Sequence, residues 1–159
     1  MGFTPEEIDY IRSQPVGRVG TVGSDGQPDV APNGIEYDGR HFYVGGGHQP
    51  ERTRKFRNVA AGNDKVVLLW DDVVTVRPWT PRFLRVYGTA DFVQHDGMFG
   101  PGTYLRVTPT ISWSWNMEAL PFDGSDDREF VPRRTVHRPD DTAVAPFAEP
   151  VRTVQPNSA

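Results

Sequence analysis

Apolar and polar positions along this chain change period several times, and each change marks an element. Phe3, Ile8 and Ile11 recur at helical spacing around Thr4-Pro5-Glu6-Glu7. Thr4 suits an N-cap, Pro5 the first helical position and Glu7 the third, which makes a capping box. Phe3 and Ile8 are placed to staple the entry of this helix, which turns Ile8 and Ile11 inward. It should stop before Pro15, because proline disfavours helical backbone in the residue ahead of it. From Val16 the apolar residues are branched and closely spaced as far as Val22, a first strand that ends at the turn Ser24-Asp25-Gly26.

Asp29 to Tyr37 reads as a second strand, interrupted at Pro32 and Gly34. Pro32 cannot donate to a ladder, so this strand lies at an edge or bulges there. Gly34 leaves room for another backbone or a flat ligand. Asp38-Gly39 is a hairpin signal of the primed type, and His41 to Val44 is the third strand. After Gly45-Gly46-Gly47 the period becomes helical. Phe56, Val59 and Ala60 share one face at i, i+3 and i+4, and Gly62-Asn63 ends that helix. Lys65 to Trp70 is nearly all apolar, as in a strand buried on both faces, and Asp71-Asp72 closes it. Val73 to Val76 fits a short strand or a loop edge, and Pro78-Trp79-Thr80-Pro81 is irregular. Phe83 to Val93 is the longest strand, bent at Gly88, and His95 to Gly102 is a glycine-rich loop. Tyr104 to Val107 and Ile111 to Trp115 form a last pair, or one strand bent at Pro109. In it Trp113 and Trp115 alternate with Ser112 and Ser114, so both indoles point to one side.

Beyond about Asp123 the periodicity is lost among charges, prolines and small residues. Two regions follow: a folded domain over 1–122 and an arm or disordered tail over 123–159. Short strands joined by tight turns, with two or more short helices, predict a mainly β protein built on a small antiparallel barrel.

Composition narrows the chemistry. The 159 residues hold no cysteine, which excludes disulfides, thiolate metal sites and a cysteine nucleophile. Four histidines, at 41, 48, 95 and 137, show no metal-ligand spacing. The net charge of −4 argues against general nucleic-acid binding. No apolar run is long enough to span a membrane, and the N-terminal stretch lacks the apolar segment of a signal peptide. A cytoplasmic protein is the expectation.

Against this acidic background one basic stretch stands out. In Glu51-Arg52-Thr53-Arg54-Lys55-Phe56-Arg57-Asn58 four of eight residues are cations. Arg54 and Arg57 lie one turn apart, with Arg52 and Lys55 beside them. Cations in a first helical turn oppose the macrodipole, and a bound phosphate removes that conflict. A solvated basic face explains the spacing equally well.

Several segments, taken in order, resemble the pyridoxamine-5′-phosphate-oxidase-like proteins, the flavin-binding split β-barrels. They resemble most the branch that often uses the deazaflavin F420. The segments are Phe3 to Gln14, Gly17-Arg18-Val19-Gly20-Thr21-Val22 and Asp25-Gly26-Gln27-Pro28-Asp29-Val30-Ala31-Pro32. Arg52 to Val59 follows, then Arg85-Val86-Tyr87-Gly88-Thr89-Ala90 and Leu105-Arg106-Val107-Thr108-Pro109. The resemblance implies a six-stranded antiparallel split barrel acting as a homodimer, with two cofactor sites at the subunit interface. It implies a phosphate held by Thr53, Arg54, Lys55 and Arg57, with His48 nearby beside the glycines. It places Val30, Ala31, Pro32 and Asn33 along the isoalloxazine-type ring, and Trp113 and Trp115 near the partner's cofactor. F420 carries an acidic tail after its phosphate, so the extra cations favour it over FMN.

The resemblance therefore implies an F420- or FMN-dependent oxidoreductase that moves a hydride to or from a small organic substrate. The cofactor would carry the chemistry, in keeping with the lack of any marked nucleophile–base pair. Tyr37, Tyr43 and Tyr87 are possible proton donors, although strand tyrosines more often pack a core; Trp70 and Trp79 also read as core or loop anchors. Two other readings stay open. One is a binder that sequesters a flavin-like cofactor without turnover. The other is a cofactor-free barrel that binds or reshapes a small aromatic metabolite.

Overall fold

The structure is a computed structural model that describes residues 2–122 and 130–140. Helix α1 (Pro5–Ser13) begins as its sequence dictates. The Thr4 side chain accepts from the Glu7 amide at 3.2 Å, and the Glu7 carboxylate accepts from the Thr4 amide at 2.9 Å. Strands β1 (Gly17–Val22), β2 (Pro28–Asn33), β3 (Ile35–Tyr37) and β4 (Phe42–Gly45) follow. A single 3₁₀ turn (Pro50–Arg52) leads into α2 (Arg54–Ala60), then β5 (Lys65–Val73), β6 (Pro81–Gly97) and β7 (Gly100–Trp115). Strand β8 (Arg133–Val136) comes last.

All pairings are antiparallel, in the order β2-β1-β5-β6-β7-β4-β3. β8 adds to β7 beside β6's partner half, from Ile111 to Ser114. The two ends of the sheet, β2 and β3, are consecutive in the chain and join through Gly34 without pairing to each other. That is a split barrel: curved round but not closed by hydrogen bonds. Eight strands form rather than six, because the expected Asp29–Tyr37 strand divides at Gly34 and the arm contributes β8. Pro32 is accommodated as expected, in a strand at the sheet's edge.

Two long strands give the barrel its shape. β6 and β7 pair from Phe83↔Trp115 to Gly97↔Gly100, with a register shift at Tyr87/Gly88. Their lower halves sit beside β5 and β8, and β7's upper half sits beside β4. Gly88 is needed at the bend, because a Cβ there would lie 2.6 Å from the Thr108 carbonyl oxygen. The stretch His95–Gly102 is not a loop: the strands run through it to a two-residue turn at Met98-Phe99. The side chains of that turn, not a ligand or a distant backbone, fill the space beside Gly34, where a Cβ would meet the Met98 sulfur at 2.6 Å.

The core lies between the inner faces of the strands and the two helices. Trp70, Phe42, Leu68, Leu84, Leu105, Val86 and Val107 are completely buried in it, joined by Tyr10, Ile11 and Phe56. β5 differs from expectation. It continues through Asp71 and Asp72, and its burial alternates, with Val66, Leu68 and Trp70 inward and Val67 and Leu69 on the outer face. One further polar seam runs under α1. Glu7, 1% exposed, accepts hydrogen bonds from Ser114 of β7 and from Arg133 of β8. Ser112 and His137 are hydrogen bonded at 2.8 Å beside it. Part of the arm expected over 123–159 is thus built into the sheet, while 123–129 and 141–159 lie outside the described residues. Among the described residues, no helix is long and apolar enough to cross a membrane.

Candidate functional site

α2 packs over β1 and the edge strand β2. Asn58 donates to the buried Thr21 hydroxyl at 2.9 Å, and Asn63 donates to the Val22 carbonyl at 3.0 Å. The helix ends in a Schellman pattern, with Gly62 bonded to Val59, Asn63 to Asn58, and Gly62 at φ 102°. This anchoring turns Lys55, Phe56, Asn58 and Val59 inward and leaves Ala60 exposed, so the apolar face is rotated from the one that spacing suggests.

The rotation separates the four cations. Arg54 reaches toward β2, its Nε 3.9 Å from an Asp29 oxygen. Lys55 is only 7% exposed as a residue, but its ammonium is not among the buried polar atoms that lack a partner; it lies 6.0 Å from the centre of the Phe56 ring. Burial pushes its pKa below the ordinary lysine value, and Asp29 offsets this in part. Arg57 faces the other way, lining a groove of about 190 Å³ with Phe56, Ala60, Phe92, Thr103 and Pro50. Arg52 bonds Gln49 at 2.8 Å. The Thr53 hydroxyl already donates to the Pro50 carbonyl at 2.7 Å, which leaves its lone pairs for a ligand donor. His48 lies exposed in the turn ahead of the 3₁₀ helix.

The four residues expected along the ring divide by strand alternation. Ala31 and Asn33 share the face of β2 that carries Asp29, toward α2, whereas Val30 and Pro32 point to the outer face. Asn33 caps the strand by donating to the Gly34 carbonyl at 2.7 Å. Trp113 and Trp115 do not join them within one chain. They stand on the outer face of β7, four strand spacings from β2, or about 19 Å along the sheet. Ser112 and Ser114 take the buried side of β7.

Two features escaped the sequence reading. One is the burial of Lys55, which depends on how α2 sits on β1 and left no periodic signal. The other is the guanidinium of Arg85, which stacks at 4.4 Å on the Trp113 ring and at 5.4 Å on Tyr87. Its signal was the alternation of β6, which sets Arg85 and Tyr87 on the face opposite Leu84 and Val86. Tyr87 is 43% exposed on this face and does not pack the core. Tyr43 hydrogen bonds Asp38 at 2.8 Å and stacks on His95 at 4.0 Å, away from α2. Trp70 is a core residue, and Trp79 is an exposed loop residue bridged to Phe122.

An open antiparallel barrel, its edge strand flanked by a short cationic helix, defines the split-barrel class. The chain belongs to the pyridoxamine 5′-phosphate oxidase family, whose model matches residues 3–104, and is an oxidoreductase of that family. A relative from Streptomyces rimosus subsp. rimosus is 40% identical over 123 residues, covering 74% of this chain and 86% of its own. That protein is a 5a,11a-dehydrotetracycline/5a,11a-dehydrooxytetracycline reductase. Among solved structures, an F420 reductase aligns with TM-score 0.52 at 23% identity, covering 69% of this chain and 98% of its own. A FAD-binding protein from Mesorhizobium loti aligns with TM-score 0.52 at 19% identity, covering 70% and 93%. These two share the fold.

Proposed function

We propose that this protein is a reductase that binds a phosphate-bearing deazaflavin or flavin, F420 or FMN, and passes a hydride to a small, oxygen-rich polycyclic substrate. The observation that carries the cofactor half is Lys55. A cation partly stripped of water favours an anion beside it, and Arg54 next to it has only a distant carboxylate. A phosphate suits both side chains, with Thr53 available to accept from a ligand donor. The substrate half comes from the relative that reduces dehydrotetracyclines.

In this reading Arg54 and Lys55 hold the phosphate and fix the ring's position along β2, where Ala31 and Asn33 face it. The ring supplies the hydride; the protein orients it and excludes water. Trp113 and Trp115 lie too far from Lys55 along the sheet to meet the same ring. A second copy of the chain would bring its own tryptophans to it, so the reading includes a homodimer with shared sites.

Titration of the purified protein with FMN and with F420, followed by absorbance and fluorescence, tests the cofactor. Saturable binding of one of them at micromolar concentration is expected. Binding of neither would leave a cofactor-free barrel as the better account.

A further inference from the structure

On the outer face, cross-strand pairing sets Leu69, Arg85, Trp113 and Arg134 in one row, on β5, β6, β7 and β8. Trp113 therefore stands between two arginines. Arg85 is held against the indole at 4.4 Å, and its Nε is buried without an acceptor. No carboxylate among the described residues pairs with Arg85 or with Arg134, whereas Arg18 on the same face is matched to Asp71 at 3.0 Å. Tyr87 closes the block edge-on to Trp113, with ring centroids 4.8 Å apart. Below it, Trp115 lies 5.0 Å from Phe130 of the arm, and both are accessible.

We propose that Arg85, Trp113 and Arg134 form a binding site for a planar aromatic molecule bearing conjugated oxyanions, whether enolate, phenolate or carboxylate. The ring lies across the exposed edge of Trp113, and the anionic oxygens meet the two guanidinium groups on either side of it. Arg85 and Arg134 stand two strand spacings apart, about 10 Å, so the site fits a fused polycycle with oxygens along its edge better than a single ring. Guanidinium forks suit paired oxygens that share one charge. One of the two guanidinium groups belongs to β8, which lies outside the segment matched by the family model. The arm therefore gives this chain a recognition element that the barrel alone lacks. That the bound molecule is the substrate rests on the reductase reading; that it binds does not.

Tryptophan-fluorescence titration of the full chain with tetracycline, a polycycle with an enolised 1,3-dicarbonyl edge, tests the site. Saturable quenching is expected, weakened about tenfold or more by Arg85→Gln and by Arg134→Gln separately. Arg18→Gln, on the same face but paired with Asp71, should leave it within about twofold. Arg134 is exposed on the arm, so its substitution does not challenge folding. Unchanged affinity in both variants, or no saturation with the wild type, would overturn the proposal. Absorbance in the same samples separates this from the reductase reading. Arginine-dependent tetracycline binding without binding of F420 or FMN sinks the reading and keeps the site, and the reverse result does the opposite.

Discussion

Lys55 shows how one side chain can be costly to the fold and useful to the site. Its folded pKa is lowered by burial. Between that value and the ordinary value near 10.5 the unfolded chain binds more protons than the native one, so stability without ligand rises with pH over that window. Below it the cost of the partly desolvated charge applies. Lys55→Met removes the charge and keeps the packing. Thermal melts at pH 7 should therefore show a ligand-free variant more stable by on the order of 1 kcal/mol, or roughly 2–4 °C, and unable to bind the cofactor phosphate. A lower melting temperature would make Lys55 a structural residue. Arg54→Ala should weaken cofactor binding about tenfold or more, and Arg57→Ala far less, because Arg57 lines the groove on the other side of α2. Equal losses by fluorescence titration would show that one ligand touches both. The sequence made the cations visible as a cluster. It could not divide them, because the rotation of α2 is set by Asn58, Asn63 and the packing of Phe56, contacts made across the chain.

Among the elements, those ruled by local chemistry were the legible ones. The capping box of α1 and the Gly62 stop of α2 follow from residues within a few positions. Elements decided by distant partners were misjudged. β5 reads as doubly buried because Val67 and Leu69 are apolar, yet they sit on the outer face beside Arg18, Arg85 and Tyr87. β8 has no periodic signal. It is held by Arg133 on Glu7, and by Ser112 on His137, pairs far apart in sequence. Glu7→Gln keeps the volume but removes the charge that serves Ser114 and Arg133. It should cost about 1.5–3 kcal/mol in denaturant unfolding, with Arg133→Ala nearly as costly. A change within about 0.5 kcal/mol would show that the arm is held by its backbone bonds alone.

For the whole molecule, the question is what covers the outer face. Val30, Tyr87 and Val136 are 68%, 43% and 50% exposed there, in company with Leu69, Trp113 and Trp115. Large apolar side chains gathered on one face suit a partner surface, and here Arg18, Arg85 and Arg134 stand among them. Light scattering should give close to twice the 17.8 kDa chain mass, and Trp115→Asp should shift it toward one chain with loss of cofactor binding. A wild-type monomer that holds cofactor tightly would refute shared sites. Family membership was legible from ordered segments of sequence; the outer face was not, because it emerges only when register aligns residues from five strands. The seam under α1 has a last consequence, for synthesis on the ribosome. The chain emerges with Glu7 first. The capping box with Thr4 can form at once, but the Ser114 and Arg133 partners of the same carboxylate are made only 107 and 126 residues later. Released chains truncated just before Arg133 should be more open to protease than the 159-residue chain.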